Sequence, residues 1–205
     1  LYLASSTTAR LLGVTYQLTG CDWAGAAAFA YTGSIGPVQL ERKIRKQFER
    51  IGETLQSSFA VRGLIGVDAV IANDEVWTVE VNPRYTASVE ILERAGQTGL
   101  ISQHASVFGL DCDVRPCRTD TAMMHGKAVF YTEKPLVMTR QFLDWVQKIN
   151  LEHETWPQLA DIPTVGSPIG KGQPVLTIFT SGADVEQVEN QLQLKMVALK
   201  QQLNK

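Results

Sequence analysis

The chain has 205 residues and a formal net charge of −2, from 19 lysines and arginines against 21 aspartates and glutamates. This length can bury a hydrophobic core in one large or two small domains, and the balanced charge without a basic block excludes an electrostatic surface for nucleic acid or an anionic membrane. No apolar stretch approaches the roughly 18 residues of a membrane span, and the three cysteines lack zinc-site spacing and favour a reducing cytoplasm.

The first 37 residues are predicted to form strands joined by polar loops. Residues 1–3 and 11–19 have the composition of strands, separated by a turn rich in serine and threonine. The stretch "YTGSIGP" at 31–37 contains two glycines and a proline and predicts a loop. The chain begins without methionine, in a segment that resembles the middle of a strand. We therefore expect a fragment of a longer protein.

The next element is predicted to be an amphipathic helix from Val38 to about Ser58. Its apolar residues recur at steps of three and four, which is the spacing of one helix face. They are Leu40, Ile44, Phe48, Ile51, Leu55 and Phe59.

Two segments rich in valine and isoleucine, 63–72 and 76–81, predict a β-hairpin, because the residues between them include the turn formers Asn73 and Asp74. If the turn consists of residues 73–75, paired residues have numbers that sum to 148. Asp68 then lies opposite Glu80, with their Cβ atoms roughly 4.5–5.5 Å apart.

Asn82 lies two residues after Glu80, so both side chains project from the same face of the strand. The pairing therefore brings Asp68, Glu80 and Asn82 together. A two-residue turn would instead place Asp68 opposite Val79 and remove this convergence.

Two carboxylates this close destabilise each other unless a cation lies between them. Hard oxygen ligands of this kind suit Mg²⁺, which is usually held by one or two carboxylates, several waters and substrate phosphates. Two other interpretations stay open at this point: the carboxylates face water on an exposed sheet face, or Arg62 and Arg84 neutralise them.

The remainder of the chain is predicted to alternate short helices and strands, with a change of character after Gly109. The predicted helices are 86–96, 100–109 and 139–149; residues 125–132 form a strand, 157–182 a series of short strands, and a final helix carries Val185, Val188, Leu192, Met196, Leu199 and Leu203 on one face. The predicted fold class is α+β, with one domain at 1–110 and a small α/β domain at 111–205.

The hairpin "GVDAVIANDEVWTVEVNPR" resembles the metal-binding hairpin of ATP-grasp ligases, in which an acidic residue on one strand is followed by E-x-N on the next. "EVNPR" matches the form in carbamoyl phosphate synthetase, and E-x-N-x-R is similar to biotin carboxylase. The ordered set that adds "RGLIGVDAV", "NPRYTASVE" and "ADIPTVGSPIGKGQPV" resembles a group of predicted ATP-grasp carboligases over most of the chain.

This resemblance implies ATP and Mg²⁺ as cofactors and assigns roles to five residues. Asp68, Glu80 and Asn82 align with ligands of the Mg²⁺ ions that bridge the ATP phosphates. Arg84 aligns with an arginine that faces the reacting acyl or carboxy phosphate, where its charge would stabilise phosphoryl oxygens. Val70 matches part of the apolar surface near adenine.

The implied fold is the second ATP-grasp subdomain, an antiparallel sheet with packed helices, followed by a small strand-rich C-terminal domain. ATP-grasp enzymes clamp nucleotide between two subdomains, and the phosphate-binding lysine, lid and adenine hinge of the first subdomain are not visible before Leu1. We therefore do not expect turnover by this chain alone. The C-terminal domain completes the active-site wall or forms a subunit contact, which leaves a homo-oligomer open.

The implied reaction is ATP-driven activation of a carboxylate as an acyl phosphate, followed by attack of an amine to form an amide-like bond. The partners would be small-molecule carboxylate and amine substrates. One alternative is carboxylation through carboxyphosphate. Another is a non-catalytic nucleotide-binding or oligomerisation module that keeps the hairpin as a scaffold.

Four further polar residues have structural interpretations. His104 is predicted to be a helix-surface or hydrogen-bonded histidine rather than a catalytic base. Thr86 or Ser88 is predicted to cap the helix that follows the hairpin. Arg62 either reaches a substrate carboxylate or forms a surface ion pair.

Overall fold

The computed structural model describes residues 1–96, 99–112, 123–152 and 156–203. The elements in chain order are β1 (Tyr2–Ala4), β2 (Ala9–Leu11), β3 (Tyr16–Thr19), a short 3-10 helix (Asp22–Ala24), β4 (Tyr31–Gly36), α1 (Arg42–Phe59), β5 (Gly63–Ala72), β6 (Glu75–Asn82), α2 (Ala87–Arg94), α3 (Leu100–Val107), β7 (Met124–Tyr131), β8 (Leu136–Val137), α4 (Arg140–Leu151), β9 (Leu159–Ala160), β10 (Pro168–Ile169), β11 (Pro174–Gly182) and α5 (Val185–Leu203). Mixed helices and antiparallel sheets confirm the predicted fold class. None of the helices in the described ranges is both long and apolar enough to span a membrane.

The chain forms two compact units that do not follow chain order. One comprises Leu1–Thr15 and Pro37–Thr121, and the other comprises Tyr16–Gly36 and Ala122–Lys205. The division at residue 110 stays a prediction about domains; it differs from these units because residues 16–36 pack with the C-terminal half. Residues 113–122, just after that division, lie outside the described residues.

The first unit is built on a four-stranded antiparallel sheet with the strand order β2-β1-β5-β6. Neighbouring residues of β5 point to opposite faces of the sheet. Ile65 packs with Tyr2 and with residues of α1, whereas Leu64 packs with residues of α2 and α3. The two faces of β5 are thus covered by different helices near its N-terminal end.

Helix α1 confirms the predicted helical spacing and begins four residues later than predicted, at Arg42. Its residues Ile44 and Phe48 are buried, and the Tyr2 hydroxyl donates a hydrogen bond to the Phe48 carbonyl oxygen at 2.8 Å. The apolar stripe therefore fixes α1 against the strand that pairs with β5.

The second unit is built on a five-stranded antiparallel sheet with the order β3-β4-β7-β11-β9. A two-stranded sheet of β8 and β10 accompanies it. The predicted stripe of the final helix is confirmed, because Val188, Leu192, Met196 and Leu199 are all buried in the core of this unit.

Two predictions about the first 37 residues are wrong. The segment 31–37 is not a loop, because Tyr31–Gly36 forms β4 between β3 and β7. A Cβ atom on Gly33 would lie 2.0 Å from the Lys127 carbonyl oxygen, so the glycine is required by a close approach of backbones rather than by a turn. The predicted strand 11–19 is divided between β2 in the first unit and β3 in the second.

Candidate functional site

The hairpin of β5 and β6 turns through two residues, so the predicted three-residue turn is wrong. Ala72 pairs with Glu75, and Asn73 and Asp74 have φ values of 51° and 62°. Positive φ at both central residues is the geometry of a tight hairpin turn whose twist matches the strands. Asparagine and aspartate tolerate this region better than other residues with a Cβ atom.

A β-bulge at Val79, two residues after Trp77, changes the register of the hairpin. Ala69 pairs with Thr78, but Asp68 pairs with Glu80, so Val79 is the extra residue on β6. The two-residue turn alone would have placed Asp68 opposite Val79. The bulge restores the pairing, and the predicted position of Asp68 opposite Glu80 is confirmed for a different reason.

Asn82, two residues after Glu80 on the same strand face, completes this patch. It lies opposite Gly66, which places it diagonally across from Asp68. A Cβ atom on Gly66 would lie 2.4 Å from Thr86 Cγ2, so the first residues around α2 pack directly on the sheet here. Val67 and Val81 belong to the opposite face and contact the core under α1.

The electrostatics of the patch are those of two neighbouring anions. Partial burial raises the pKa of the Asp68 carboxyl, and the negative charge of Glu80 raises it further; the Arg84 guanidinium acts in the opposite direction. Within the described parts of the chain, neither carboxylate forms a side-chain hydrogen bond or ion pair. Their repulsion is therefore offset only weakly by the protein.

Arg84 lies folded back on its own turn. Its Nη2 donates to Asn82 Oδ1 at 2.9 Å, its Nη1 donates to the Tyr85 carbonyl oxygen at 3.1 Å, and its backbone N–H donates to the Asn82 carbonyl oxygen at 2.8 Å. The guanidinium thus hydrogen-bonds the amide oxygen of the patch, and its charge favours the ionised form of Asp68 by lowering the pKa of that carboxyl.

An apolar surface continues from the carboxylates towards the hairpin tip. Val70 lies two residues after Asp68 on the same face and pairs with Trp77. Val70, Trp77 and the bulged Val79 are 54%, 59% and 69% exposed. Large apolar side chains with this exposure can contact a flat apolar ligand beside the carboxylates.

The tip of the hairpin is tied to α1 by Gln47, which the sequence analysis missed. Gln47 Nε2 donates to the Asp74 carbonyl oxygen at 2.8 Å, and its Oε1 accepts from the Val76 backbone N–H at 2.9 Å. Lys43 adds an exposed ion pair to the Asp74 carboxylate at 3.3 Å. The sequence signal was that Lys43 and Gln47 lie four residues apart on one face of a predicted helix. This spacing does not indicate that their partner is the hairpin tip.

The remaining predicted polar residues have structural contacts. His104 Nδ1 accepts a hydrogen bond from the Leu64 backbone N–H at 3.0 Å, as expected for a structural histidine. Arg62 donates to the Val107 carbonyl oxygen, and its guanidinium carbon lies 5.3 Å from the centre of the Phe108 ring. Thr86 occupies the predicted N-cap position of α2 without a side-chain cap bond.

The donors of the patch fit a hard divalent cation. Two carboxylates and an amide oxygen match the ligands that Mg²⁺ takes, with its other positions left to water and ligand oxygens. The described ranges contain no cluster of three or more His, Cys, Asp or Glu residues suited to a metal ion. A metal here would therefore depend on Asp68, Glu80 and the Asn82 amide, and it would be open to an anionic ligand.

Comparisons with known proteins find similar sequences and similar folds. Residues 1–88 match the family model of the ATP-grasp domain. The chain is 28% identical over 149 residues to a formate-dependent phosphoribosylglycinamide formyltransferase from Pseudomonas fluorescens, a match that covers 73% of this chain and 32% of the relative.

Two solved structures share the fold. The L-amino acid ligase from Bacillus licheniformis superposes with a TM-score of 0.65 at 12% identity, over 98% of this chain and 49% of that one. An ADP complex of N5-carboxyaminoimidazole ribonucleotide synthetase superposes with a TM-score of 0.61 at 14% identity, over 100% of this chain and 48% of that one. The chain thus spans about a third to a half of the length of these proteins.

Proposed function

We propose that this chain, whose residues 1–88 match the ATP-grasp domain, is part of an ATP- and Mg²⁺-dependent ligase that joins a carboxylate to an amine. The observation that carries the proposal is the pairing of Asp68 with Glu80 on an exposed sheet face, next to Asn82 and Arg84. Two adjacent anions with little protein compensation are costly unless they bind a cation.

In this proposal Asp68, Glu80 and Asn82 hold the magnesium ions. A Mg²⁺ ion held there would offset the negative charge of the ATP phosphates, which would ease the approach of the attacking carboxylate. Val70 and Trp77 offer the apolar surface beside the metal ligands on which the adenine base rests.

Arg84 is the proposed catalytic residue. The substrate carboxylate oxygen attacks the γ-phosphorus, ADP leaves, and an acyl phosphate forms. The amine then attacks the acyl carbon, phosphate leaves, and the amine loses a proton as the amide forms. A guanidinium beside the transferred phosphoryl group stabilises its oxygens in both steps without itself reacting.

The activities of the relatives support a carboxylate and an amine as the substrate classes. Formate, named for the curated relative, is a carboxylate, and the L-amino acid ligase acts on compounds that carry both groups. Carboxylation through carboxyphosphate is the second candidate. It is suggested by N5-carboxyaminoimidazole ribonucleotide synthetase, with which this chain shares the fold. A non-catalytic nucleotide-binding module is the remaining alternative.

The proposal is tested with the complete natural polypeptide. Phosphate release from ATP is measured with pools of carboxylates and amines, and bicarbonate is tested separately. Glu80→Gln should abolish turnover with the circular dichroism spectrum unchanged, whereas Glu75→Gln, on the same strand at the hairpin tip, should keep it. Full turnover by the Glu80 variant refutes the metal assignment, and turnover that needs bicarbonate selects the carboxylase.

A further inference from the structure

We propose that Asn82 exchanges the Arg84 guanidinium for a divalent metal, so that metal binding releases Arg84 from the patch. This inference rests on the proposed function, since it takes Asp68, Glu80 and Asn82 as the metal ligands. It goes further, because it makes the release of Arg84 a consequence of metal binding.

The first observation is that the metal and Arg84 would bind the same atom, Asn82 Oδ1. Asn82 Oδ1 is the only oxygen of that side chain, so it is the atom that would bind a hard cation. In the structure the same oxygen accepts a hydrogen bond from Arg84 Nη2 at 2.9 Å. A guanidinium and a dication at one amide oxygen repel each other, so close binding of the metal weakens the contact with Arg84.

The second observation is the charge balance of the patch. Asp68 and Glu80 have no hydrogen-bonded partner within the described residues, and Arg84 hydrogen-bonds Asn82, which lies diagonally across from Asp68. Arg84 therefore supplies part of the positive charge that a metal supplies more strongly. Once a dication occupies the patch, the electrostatic reason for the guanidinium to stay there is lost.

The third observation is that Arg84 can leave at low cost. Its side chain is exposed, and its other hydrogen bond goes to the carbonyl oxygen of the adjacent residue, Tyr85. An exposed hydrogen bond of this kind contributes little to stability, because water replaces it. The backbone turn that fixes the Arg84 Cα, through the Asn82 carbonyl oxygen, does not depend on the side chain.

The consequence is a coupling between metal and anion. A guanidinium displaced from Asn82 stays within reach of the patch and is free to bind the phosphoryl group. Metal binding therefore raises the affinity for the anion, and the anion raises the affinity for metal by the same factor. The opposite model, in which Arg84 permanently orients the Asn82 amide for the metal, predicts that removal of Arg84 weakens metal binding.

The two models are separated by Mn²⁺ titration of the complete polypeptide without nucleotide, in which free Mn²⁺ is measured by electron paramagnetic resonance. Arg84→Met keeps the aliphatic stem and removes the competitor, and it should bind Mn²⁺ on the order of five-fold more tightly than the wild type, within the range of typical coupling factors. Arg62→Met removes a guanidinium that contacts Val107 and Phe108, and it should leave Mn²⁺ affinity unchanged.

A second readout reports the displacement itself. In the ¹⁵N spectrum of the arginine side chains, the Arg84 guanidinium signal, assigned by its loss in Arg84→Met, should shift on addition of Mg²⁺ alone. A signal unchanged at saturating Mg²⁺, or equal or weaker Mn²⁺ binding by Arg84→Met, overturns the inference.

Asp68→Asn distinguishes this failure from failure of the proposed function. Loss of Mn²⁺ binding in Asp68→Asn, with no gain in Arg84→Met, contradicts the exchange and leaves the metal site standing. Mn²⁺ binding by Asp68→Asn at wild-type affinity refutes both proposals.

Discussion

Asp68 lies opposite Glu80 because Val79 is bulged out of the register of β6. With the tight turn at Asn73 and Asp74 and no bulge, Asp68 would pair with Val79. The extra residue on β6 shifts the pairing by one, so that from Asp68 to Gly66 the partners are those of a three-residue turn. The hairpin therefore brings two like charges together on one face, where regular pairing from the same turn would have separated them.

The first prediction is that Asp68→Asn stabilises the metal-free protein. The substitution removes one of two like charges at directly paired strand positions, and such pairs are destabilising by about 0.2–1 kcal/mol. The free energy of unfolding, measured by urea denaturation with a chelator present, should rise by an amount in this range.

Glu75→Gln is the matched control, because Glu75 pairs with the uncharged Ala72. Its free energy of unfolding should stay near that of the wild type. A lower free energy of unfolding in Asp68→Asn would contradict the prediction, because the Asp68 carboxylate would then stabilise the protein rather than repel Glu80.

The second prediction concerns the pH dependence of that gain. The pKa of Asp68 is raised in the folded protein, first by burial and then by Glu80. The folded state therefore takes up the proton at a higher pH than the unfolded chain, and the wild type regains the missing stability as the pH falls through the raised pKa. The difference in unfolding free energy between Asp68→Asn and the wild type should be largest near neutral pH.

The same difference should shrink as the pH approaches the ordinary range of an aspartate carboxyl. Urea denaturation of both proteins at a series of pH values measures it. A difference that stays constant over this range would mean that repulsion from Glu80 is not what Asp68→Asn relieves.

The third prediction is that Gly66→Ala displaces the start of α2. The added Cβ atom would lie 2.4 Å from Thr86 Cγ2, and threonine is stiff at χ1. Overpacking of this kind costs about 1–3 kcal/mol. Thermal and urea unfolding should show the loss, and Mn²⁺ affinity should fall with it, since Gly66 lies opposite Asn82.

A double-mutant cycle with Thr86→Ala isolates this contact. Removal of the threonine Cγ2 and hydroxyl should recover most of the stability that Gly66→Ala loses, so the two changes should be strongly non-additive. Additive losses would place the strain of Gly66→Ala elsewhere in the sheet.

The elements that the sequence predicts well are those whose pattern is local. The stripes of α1 and α5 follow the helical period, and the hairpin follows from strand composition around two turn formers. Residue pairing in the hairpin is harder to predict, because it depends on both the turn and the bulge. Asn73 and Asp74 gave a signal for a tight turn, but nothing local marks the β-branched Val79 as the bulged residue.

Strand β4 was missed for a related reason. Gly33 and Gly36 look like loop residues because glycine is read by default as a turn signal. At Gly33 the requirement is set by the carbonyl oxygen of Lys127, nearly a hundred residues later in the chain. Tertiary contacts of this kind are invisible to a reading of the local sequence.

The last prediction is that Gln47 holds the tip of the hairpin in place. Its side chain donates to the Asp74 carbonyl oxygen and accepts from the Val76 N–H, so it satisfies two backbone groups at the start of β6. Gln47→Leu removes both hydrogen bonds, each with a net contribution of about 0.5–1.5 kcal/mol. The Val76 amide should then exchange its hydrogen faster, as measured by NMR.

Gln47→Glu and Gln56→Leu are the matched controls for this contact. Gln47→Glu keeps the acceptor for Val76 and loses the donor to Asp74, so the exchange rate of the Val76 amide should stay nearer the wild type. Gln56→Leu removes a hydrogen bond from the same helix to Ser6 and should leave that amide unchanged. If Val76 exchanges at the wild-type rate in Gln47→Leu, the turn and strand pairing alone hold the tip, because the side chain was then not needed to protect the amide.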